Sequence, residues 1–363
     1  MWCGTRCLCA GWCVSEPVTT GPVTIRFDEL TFSTWHSVEL RESVDDLCAQ
    51  LRLDVALPGT GSGLGLTPNS VVTVWAGDEL LATVRTDLRS RSVTATSHQI
   101  RIEARSLGRE LVDCQYSATY SGLKLADIAK RLCKLFEVPL LVQGETAVVP
   151  EFSMQCEQPA NALLNAARTA NKLMYATPDG GLLLTEPTAA GAVATLTYGV
   201  DFKSYSVVDE DRLRYSEYVV KSFDYVADAA RFGNAKDAGI TFFRPFHLVG
   251  DRHGQSDGGC GHRAELERNR RQARAHRIDV EVPGWHYTGA DGAQRVWRIN
   301  EQVRMVIAPE DLDQVMLVGD RTLRFDDKGG RVTRMTLMDR GAFVGEPKTA
   351  KKRAAGAANG GRG

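Results

Sequence analysis

The feature that most constrains this fold is the alternation of apolar and polar residues in short segments separated by turn residues. Six such segments lie between residues 23 and 105, and five more lie between residues 277 and 339. A period of two is typical of strands that bury one face. Residues 71–76 and 80–86 are joined by a tight Gly-Asp-Glu turn, which predicts a hairpin. The sequence therefore predicts two regions of antiparallel β-structure, each folded as a barrel or sandwich.

Between these two regions the period changes to that of helices. Residues 124–138 and 159–174 each place leucine and alanine side chains at helical spacing, and residues 175–186 are predicted to fold back as a hairpin. We expect a small α+β module over residues 107–195. The predicted fold class is mainly β with α+β insertions, in which two β-barrel domains flank the module.

Composition and periodicity divide the chain into five parts. They are a Cys-rich extension (1–22), a first β-barrel domain (23–106), the α+β module (107–195), a second β-barrel domain (196–345) and a basic tail (346–363). An inserted polar loop and a charged, exposed helix are predicted at about 227–276. The extension and the tail are expected to be disordered, because they lack a pattern of apolar residues that could be buried.

Charge and hydropathy exclude two classes of protein. The 363 residues contain 44 Lys and Arg against 45 Asp and Glu, a formal charge of -1, so no strong field attracts phosphate backbones or anionic lipid. The longest uncharged stretch, between Asp54 and Asp78, is rich in Gly, Pro, Ser and Thr and is unsuited to a membrane helix. A general nucleic-acid binder and a membrane-inserted protein are therefore not expected.

The sequence contains two groups of possible metal ligands, and each also has an interpretation without a metal. The first is the extension with Cys3, Cys7, Cys9 and Cys13, which could hold zinc or an iron-sulfur centre or be an unstructured leader. The second lies within residues 251–262 and consists of Asp251, His253, Asp257, Cys260 and His262. Its spacing fits no familiar metal site, and a flexible hydrophilic loop is favoured. No metal and no cofactor are predicted.

One catalytic motif is present in form. Residues 254–258 match G-x-S-x-G, with Ser256 as the nucleophile and Asp279 and His286 following in the order that an α/β-hydrolase uses. That motif needs an apolar strand before it and a helix after it, whereas here the flanking residues are polar and glycine-rich. A surface loop is favoured, no catalytic residue is assigned, and a serine hydrolase remains an alternative.

The segment ARSLGRELVDC at residues 104–114 resembles the Gly-Arg-Ser…Asp-Leu-Val-Asp-Cys signature of the Mu-type phage baseplate hub proteins, the central tail proteins of contractile-tailed phages. Further short motifs follow in the order of that family, and the resemblance covers about residues 23–345. Ala104 and Glu110 depart from the signature, which has Gly and Asp there. The residues that match the family motifs, and to which we assign a structural role, are Arg105, Ser106, Leu111, Val112, Asp113, Cys114, Gly284, Trp285, Trp297 and Asn300.

The resemblance implies a structural protein rather than an enzyme. It implies a homotrimer whose two barrels per chain, similar to the tail-tube subunit, form a pseudo-sixfold ring. Its expected partners are the tail tube protein, the central spike protein and baseplate wedge proteins, with DNA only as transiting cargo. The expected location is the virion tail baseplate, assembled in the bacterial host cytoplasm. The hub of a phage-derived injection device, either a tailocin or a secretion-system spike, is an alternative with the same architecture.

Overall fold

The structure is a computed structural model that describes residues 23–27, 30–32, 36–56, 66–94, 98–224, 228–250, 257–326 and 329–344. Several predictions lie outside these residues: the extension with its four cysteines, Ser256 and the basic tail. The described chain is mainly β, as the alternation predicted.

The first β-region forms from the alternating segments at nearly the predicted bounds. Its strands are β1 Val23–Phe27, β2 Leu30–Phe32, β3 Ser37–Ser43, β4 Gln50–Ala56, β5 Val71–Ala76, β6 Glu79–Val93 and β7 His98–Ser106. The predicted hairpin is confirmed, because β5 pairs antiparallel with β6. Along β4, Leu51, Leu53 and Val55 are buried while Arg52 is exposed, as expected for a sheet with one covered face.

The α+β region between the two β-regions has its own core. Its elements are α1 Arg109–Asp113, β8 Tyr116–Lys124, α2 Leu125–Leu135, β9 Leu140–Val142, β10 Val148–Glu157, α3 Pro159–Thr169, β11 Leu173–Ala176 and β12 Leu182–Thr185. Both predicted helices form, and the predicted hairpin is the antiparallel pair of β11 and β12. Leu125, Ile128 and Leu132 point from α2 into this core.

The second β-region begins after the α+β region and contains an inserted layer. Its elements are β13 Ala194–Thr197, β14 Tyr205–Asp209, β15 Glu217–Asp224, β16 Ala229–Lys236, β17 Pro245–Val249, α4 Asp257–Arg274, β18 His276–Pro283, β19 His286–Thr288, β20 Gln294–Val296, β21 Gln302–Ile307, β22 Leu312–Asp326, β23 Gly330–Met338 and α5 Gly341–Val344. A 3-10 turn at Ala308–Glu310 joins β21 to β22.

The inserted segment differs from the polar loop and exposed helix that the sequence predicted. Strands β16 and β17 pair with β15, and α4 packs one face on this small sheet. The close packing depends on glycine, since a Cβ atom at Gly233 would lie 2.0 Å from the backbone nitrogen of Gly261. Cys260 and Ala264 of α4 are fully buried against this sheet. The helix predicted in this insertion forms as α4, whereas the segment before it, predicted as a polar loop, contains β16 and β17.

One large sheet joins the two β-regions. Its strands follow the order β14-β18-β23-β22-β3-β4-β7-β6-β5-β1-β2, with β21 and β13 extending from β22 on a side branch. The two regions meet where β22 pairs antiparallel with β3, and in this pairing Leu323 lies opposite Leu40. Within the described residues this path is open, with β14 at one end and β2 at the other.

Four apolar cores lie along this framework, and their membership crosses the region boundaries. The core of the first β-region includes Trp285, Val296 and Leu323, which belong to the second. The core of the second β-region likewise includes Val44 and Tyr175 from earlier parts of the chain. Because side chains of one region complete the core of another, the regions are fixed relative to one another.

Candidate functional site

Clusters of hydrogen bonds and buried side chains that connect different parts of the chain are here called joints. The first joint lies where β7 ends and α1 begins. Arg105 at the end of β7 is held by two carboxylates. Its Nε atom donates to Asp87 Oδ2 at 2.6 Å, and its Nη1 and Nη2 atoms donate to the two oxygens of Asp113 at 2.9 and 2.6 Å. The hydrogen bond from Arg105 lowers the pKa of Asp113, and the carboxylates of Asp113 and Asp87 raise the pKa of Arg105.

A second arginine of the same motif completes this joint. Arg109 is buried, donating to the Asp87 carboxylate at 2.6 Å, the Asn69 side-chain oxygen at 2.5 Å and the Thr86 carbonyl at 3.2 Å. Asp87 therefore accepts from both Arg105 and Arg109. These bidentate and shared bonds fix the direction in which the chain enters the α+β region.

The other motif residues of this segment lie in or beside the core. Ser106 is buried, and its hydroxyl accepts from the backbone N–H of Ala49 at 3.2 Å. Leu111 lies in the core of the α+β region with Val112 packed against it, and Cys114 is a partly exposed free thiol.

A second joint centres on Asp45, in the turn between β3 and β4. Its two oxygens accept from Arg274 of α4 at 2.8 and 2.9 Å, and one of them lies 3.5 Å from Arg168 of α3. Burial raises the pKa of Asp45, but the charges of Arg274 and Arg168 outweigh it and leave the pKa below its usual value. One carboxylate thus connects the first sheet to helices of two other regions. Local sequence patterns could not reveal this joint, because Asp45, Arg168 and Arg274 are far apart in the chain.

The third joint is the turn after β18. Gly284 has a φ angle of +77°, a conformation that favours glycine, and its amide donates to the Arg331 carbonyl at 2.8 Å. This turn directs the next residue, Trp285, into the core of the first β-region, where its indole N–H donates to the Arg324 carbonyl at 2.9 Å. The Gly-Trp pair therefore sends an anchor of the second region into the first.

The fourth joint connects the second β-region to the α+β region. The Asn300 side chain accepts from the Thr188 amide at 2.9 Å and donates to the Glu186 carbonyl at 3.2 Å and the Tyr175 hydroxyl at 3.3 Å. Its φ angle of +61° is one that asparagine tolerates better than most residues. Trp297 is buried in the core of the second β-region, where its ring centroid lies 4.5 Å from that of Tyr287.

A buried ion pair lies between β3 and β22, where the two halves of the sheet meet. Arg321 is fully buried and pairs with Glu42, and it also donates to the Trp297 carbonyl. Burial lowers the pKa of Arg321 to about 9, which leaves it charged at neutral pH. Sequence alternation could not identify this pair, since Glu42 and Arg321 occupy inward positions where apolar residues are expected.

The uncovered side of the large sheet, here called the polar face, carries rows of alternating charge. One row crosses β22, β3, β4 and β7 through Arg324, Glu39, Arg52 and Glu103. Arg52 lies 3.4 Å from Glu103, and Arg101 of β7 lies 2.8 Å from Asp54 of β4. Arg52 and Arg101 of this face are therefore matched by carboxylates on neighbouring strands.

The part of the chain that the structure describes offers neither a metal site nor a membrane-spanning helix. There, no three His, Cys, Asp or Glu side chains are grouped to hold a metal ion, and no helix is long and apolar enough to cross a membrane. Of the proposed hydrolase residues, Asp279 accepts from the Thr336 hydroxyl at 2.6 Å, while Ser256 lies outside the described residues.

The fold defined by this sheet and its joints is that of phage tail proteins. The structure is similar to a tail protein from Neisseria meningitidis MC58, with a TM-score of 0.78 at 16% identity over 89% of this chain and 98% of that one. It is also similar to the 43 kDa tail protein of prophage MuSo2 from Shewanella oneidensis, with a TM-score of 0.76 at 20% identity over 88% of this chain and 99% of that one.

Sequence comparison relates the chain to baseplate proteins of Mu-type phages. Residues 109–186 match the second domain of gp44-like baseplate hub proteins, and residues 258–346 match the fourth domain of the Mu phage baseplate assembly protein GpP. The chain is 29% identical to baseplate hub protein gp44 of Escherichia phage Mu over 93% of each protein. These matches support the resemblance to the Mu-type phage baseplate hub proteins that the sequence motifs indicate.

Proposed function

We propose that this chain is the structural hub of a contractile-tail baseplate, and that three copies form a ring between the tail tube and the central spike. The observation that carries the proposal is the single sheet that joins two β-regions of one chain through β3 and β22. A trimer of such chains presents six β-regions, which is how a threefold assembly can match a sixfold tube.

The open ends of the sheet support ring formation. Strands β14 and β2 end the path within the described residues, so their outer edges can pair with another chain. A head-to-tail contact between unlike edges closes into a ring when the rotation per subunit is a simple fraction of a turn.

The proposed domains are the two tube-like barrels at 23–106 and 196–345, with the α+β module at 107–195 between them. Three of the four apolar cores correspond to these parts, and the fourth belongs to the layer inserted at about 227–276. The family-motif residues Arg105, Asp113, Trp285 and Asn300 would keep the parts in register within the ring.

We infer that the polar face lines the channel through which DNA leaves the particle. Arg52, Arg101 and Arg334 are paired with carboxylates across the strands, so they offer little free charge to a passing phosphate backbone. In this function no side chain performs catalysis and DNA is only cargo. The proposed partners are the tube protein, the spike protein and wedge proteins, and the proposed location is the virion tail, assembled in the host cytoplasm.

A second candidate function is the hub of an injection device that carries no genome. The chain is similar to the Escherichia coli protein c3393, described as a component of the type VI secretion system, with a TM-score of 0.56 at 8% identity over 91% of this chain and 79% of that one. The two functions differ in cargo, so particles purified with the hub would contain DNA in one case and none in the other.

The assembly is tested by measuring the mass of the purified protein by light scattering. We expect a species of about three times the 39.7 kDa chain, and a threefold ring in electron micrographs. A monomer that stays monomeric after the spike and tube proteins are added would refute the hub.

The channel assignment is tested with a charge variant of the polar face. Asp54→Asn combined with Glu103→Gln releases Arg101 and Arg52, and we expect affinity for duplex DNA at physiological salt to rise at least about tenfold in the trimer. The matched control is Asp291→Asn, which releases Arg295 of an exposed pair on the β19–β20 hairpin. An equal rise in the control would contradict the channel assignment.

A further inference from the structure

A cavity of about 810 Å³ opens where helices α3 and α4 face the sheet. Its walls come from three parts of the chain: Asp45 from the first β-region, Arg168 from the α+β region and Phe343 near the end of the second. A volume of this size is within the range of pockets that bind small molecules.

Basic side chains outnumber acidic ones in the walls of this cavity. Seven Lys or Arg residues face five Asp or Glu residues. The acidic groups are already engaged: Asp45 accepts from Arg274, and Glu267 lies 3.1 Å from Arg263 and 3.6 Å from Arg271. Lys172 is paired at 2.6 Å with Glu186, which is not among the lining residues, so the cavity has a surplus of about one positive charge when the acids are ionised.

Arg270 is the cation that the surrounding acids leave uncompensated. It is 93% buried, since its exposed fraction is 7%, and its Nη2 atom donates only to neutral oxygens, the Arg168 carbonyl and the Asn171 side chain at 2.9 Å. Its Nε atom is buried without an acceptor, and in the described chain no carboxylate forms an ion pair with Arg270.

The neighbours of Arg270 make its charge more costly. Burial, followed by the like charges of Arg263, Arg274 and Arg168, outweighs the attraction of Glu267 and lowers the pKa of Arg270 to about 10. At neutral pH the side chain is still charged. A buried guanidinium of this kind is stabilised by a counter-ion with oxygen acceptors.

We propose that this cavity is a binding site for a phosphate-class oxyanion, held by Arg270 and the guanidinium groups around it. A phosphate anion supplies the negative charge that Arg270 lacks, and its oxygens suit the planar donor pattern of arginine. Because the walls come from three regions, the bound anion would also tie those regions together.

The test is calorimetric titration of the full chain with inorganic phosphate and with pyrophosphate, in sodium chloride of matched ionic strength. We expect saturable binding at one site per chain and a rise in melting temperature that chloride does not reproduce. Binding that never saturates, or stabilisation that chloride reproduces, would overturn the proposal.

Variants locate the site. Arg270→Gln is expected to weaken phosphate binding at least tenfold, whereas Arg52→Gln, which removes an exposed arginine of the polar face, leaves it unchanged. If Arg270→Gln does not fold, Arg263→Gln serves instead, since Arg263 lines the same cavity but is partly exposed. Undiminished phosphate affinity in the folded variant would refute the site. The titration needs no ring, so its result is separate from that of the hub assembly test.

Discussion

Replacing Glu42 by Gln keeps the shape of the side chain but leaves Arg321 fully buried without its counter-charge. Removing one partner of a buried ion pair typically costs about 3–5 kcal/mol of unfolding free energy. Arg321 retains one acceptor, the carbonyl of Trp297, so we expect a loss near the lower end, about 3 kcal/mol. This loss of stability arises where β3 and β22 join the two β-regions.

Removing both charges should be less harmful than removing one. In the double variant Glu42→Leu with Arg321→Met, no charge remains buried at this joint, but the Trp297 carbonyl loses its donor. An unsatisfied buried carbonyl costs about 1–3 kcal/mol, so the double variant should lose about that amount. The matching single variants, Glu42→Leu and Arg321→Met, should each lose more stability than the double variant. The cycle should therefore give a coupling energy of at least about 2 kcal/mol.

The assay is urea unfolding at pH 7, followed by tryptophan fluorescence and circular dichroism, with stability taken from the midpoint at unchanged slope. The control is Arg334→Gln, which breaks an exposed pair with Glu281 and should cost no more than about 1 kcal/mol. The reasoning is refuted if Glu42→Gln costs no more than this control, or if the double variant is no more stable than either single replacement.

Three further outcomes follow from the joints and the thiols. Trp285→Ala should lower the unfolding free energy by about 3–5 kcal/mol in urea titrations, because it empties a buried site in the first core, whereas Trp285→Phe should cost much less. Asp45→Asn should cost about 2 kcal/mol at pH 7. Because the folded-state pKa of Asp45 lies below its ordinary 3.8, this stabilisation is complete above that pH and disappears as the pH falls through the folded value, so urea midpoints of wild type and variant should converge in acid. Iodoacetamide should label the exposed Cys156 rapidly, and peptide mass spectrometry should find Cys133 unlabelled, since burial raises its pKa to about 12.

The strands and helices with clear periodicity could be predicted from the sequence. The predicted helices of the α+β region and the hairpin of β5 and β6 form because each element buries one continuous apolar face. Local pattern could not show that β3 pairs with β22, nearly three hundred residues away in the chain. Pairing between distant strands depends on which edges meet in the folded state.

The joints illustrate the same limit at the level of side chains. Arg105 and Asp113 are close in sequence and within one motif, so sequence reasoning could single them out, although their contacts were not evident. Asp45 and Arg274 are far apart and belong to no motif, and only folding brings them together. In the inserted layer the helix could be predicted, but its close packing on Gly233 of β16 could not, because composition does not reveal which glycine a helix approaches.

The ladder between β3 and β22 makes the joint mechanically anisotropic. Its seven residue pairs run from Ser43–Asp320 to Ser37–Asp326. A force along the strands shears all of these pairs together, whereas a force across them peels the pairs apart one after another. The Glu42–Arg321 pair lies at the second rung from one end, where it resists the start of peeling. In an optical trap, the chain should therefore withstand a larger load when pulled along β3 than when the two halves are pulled sideways.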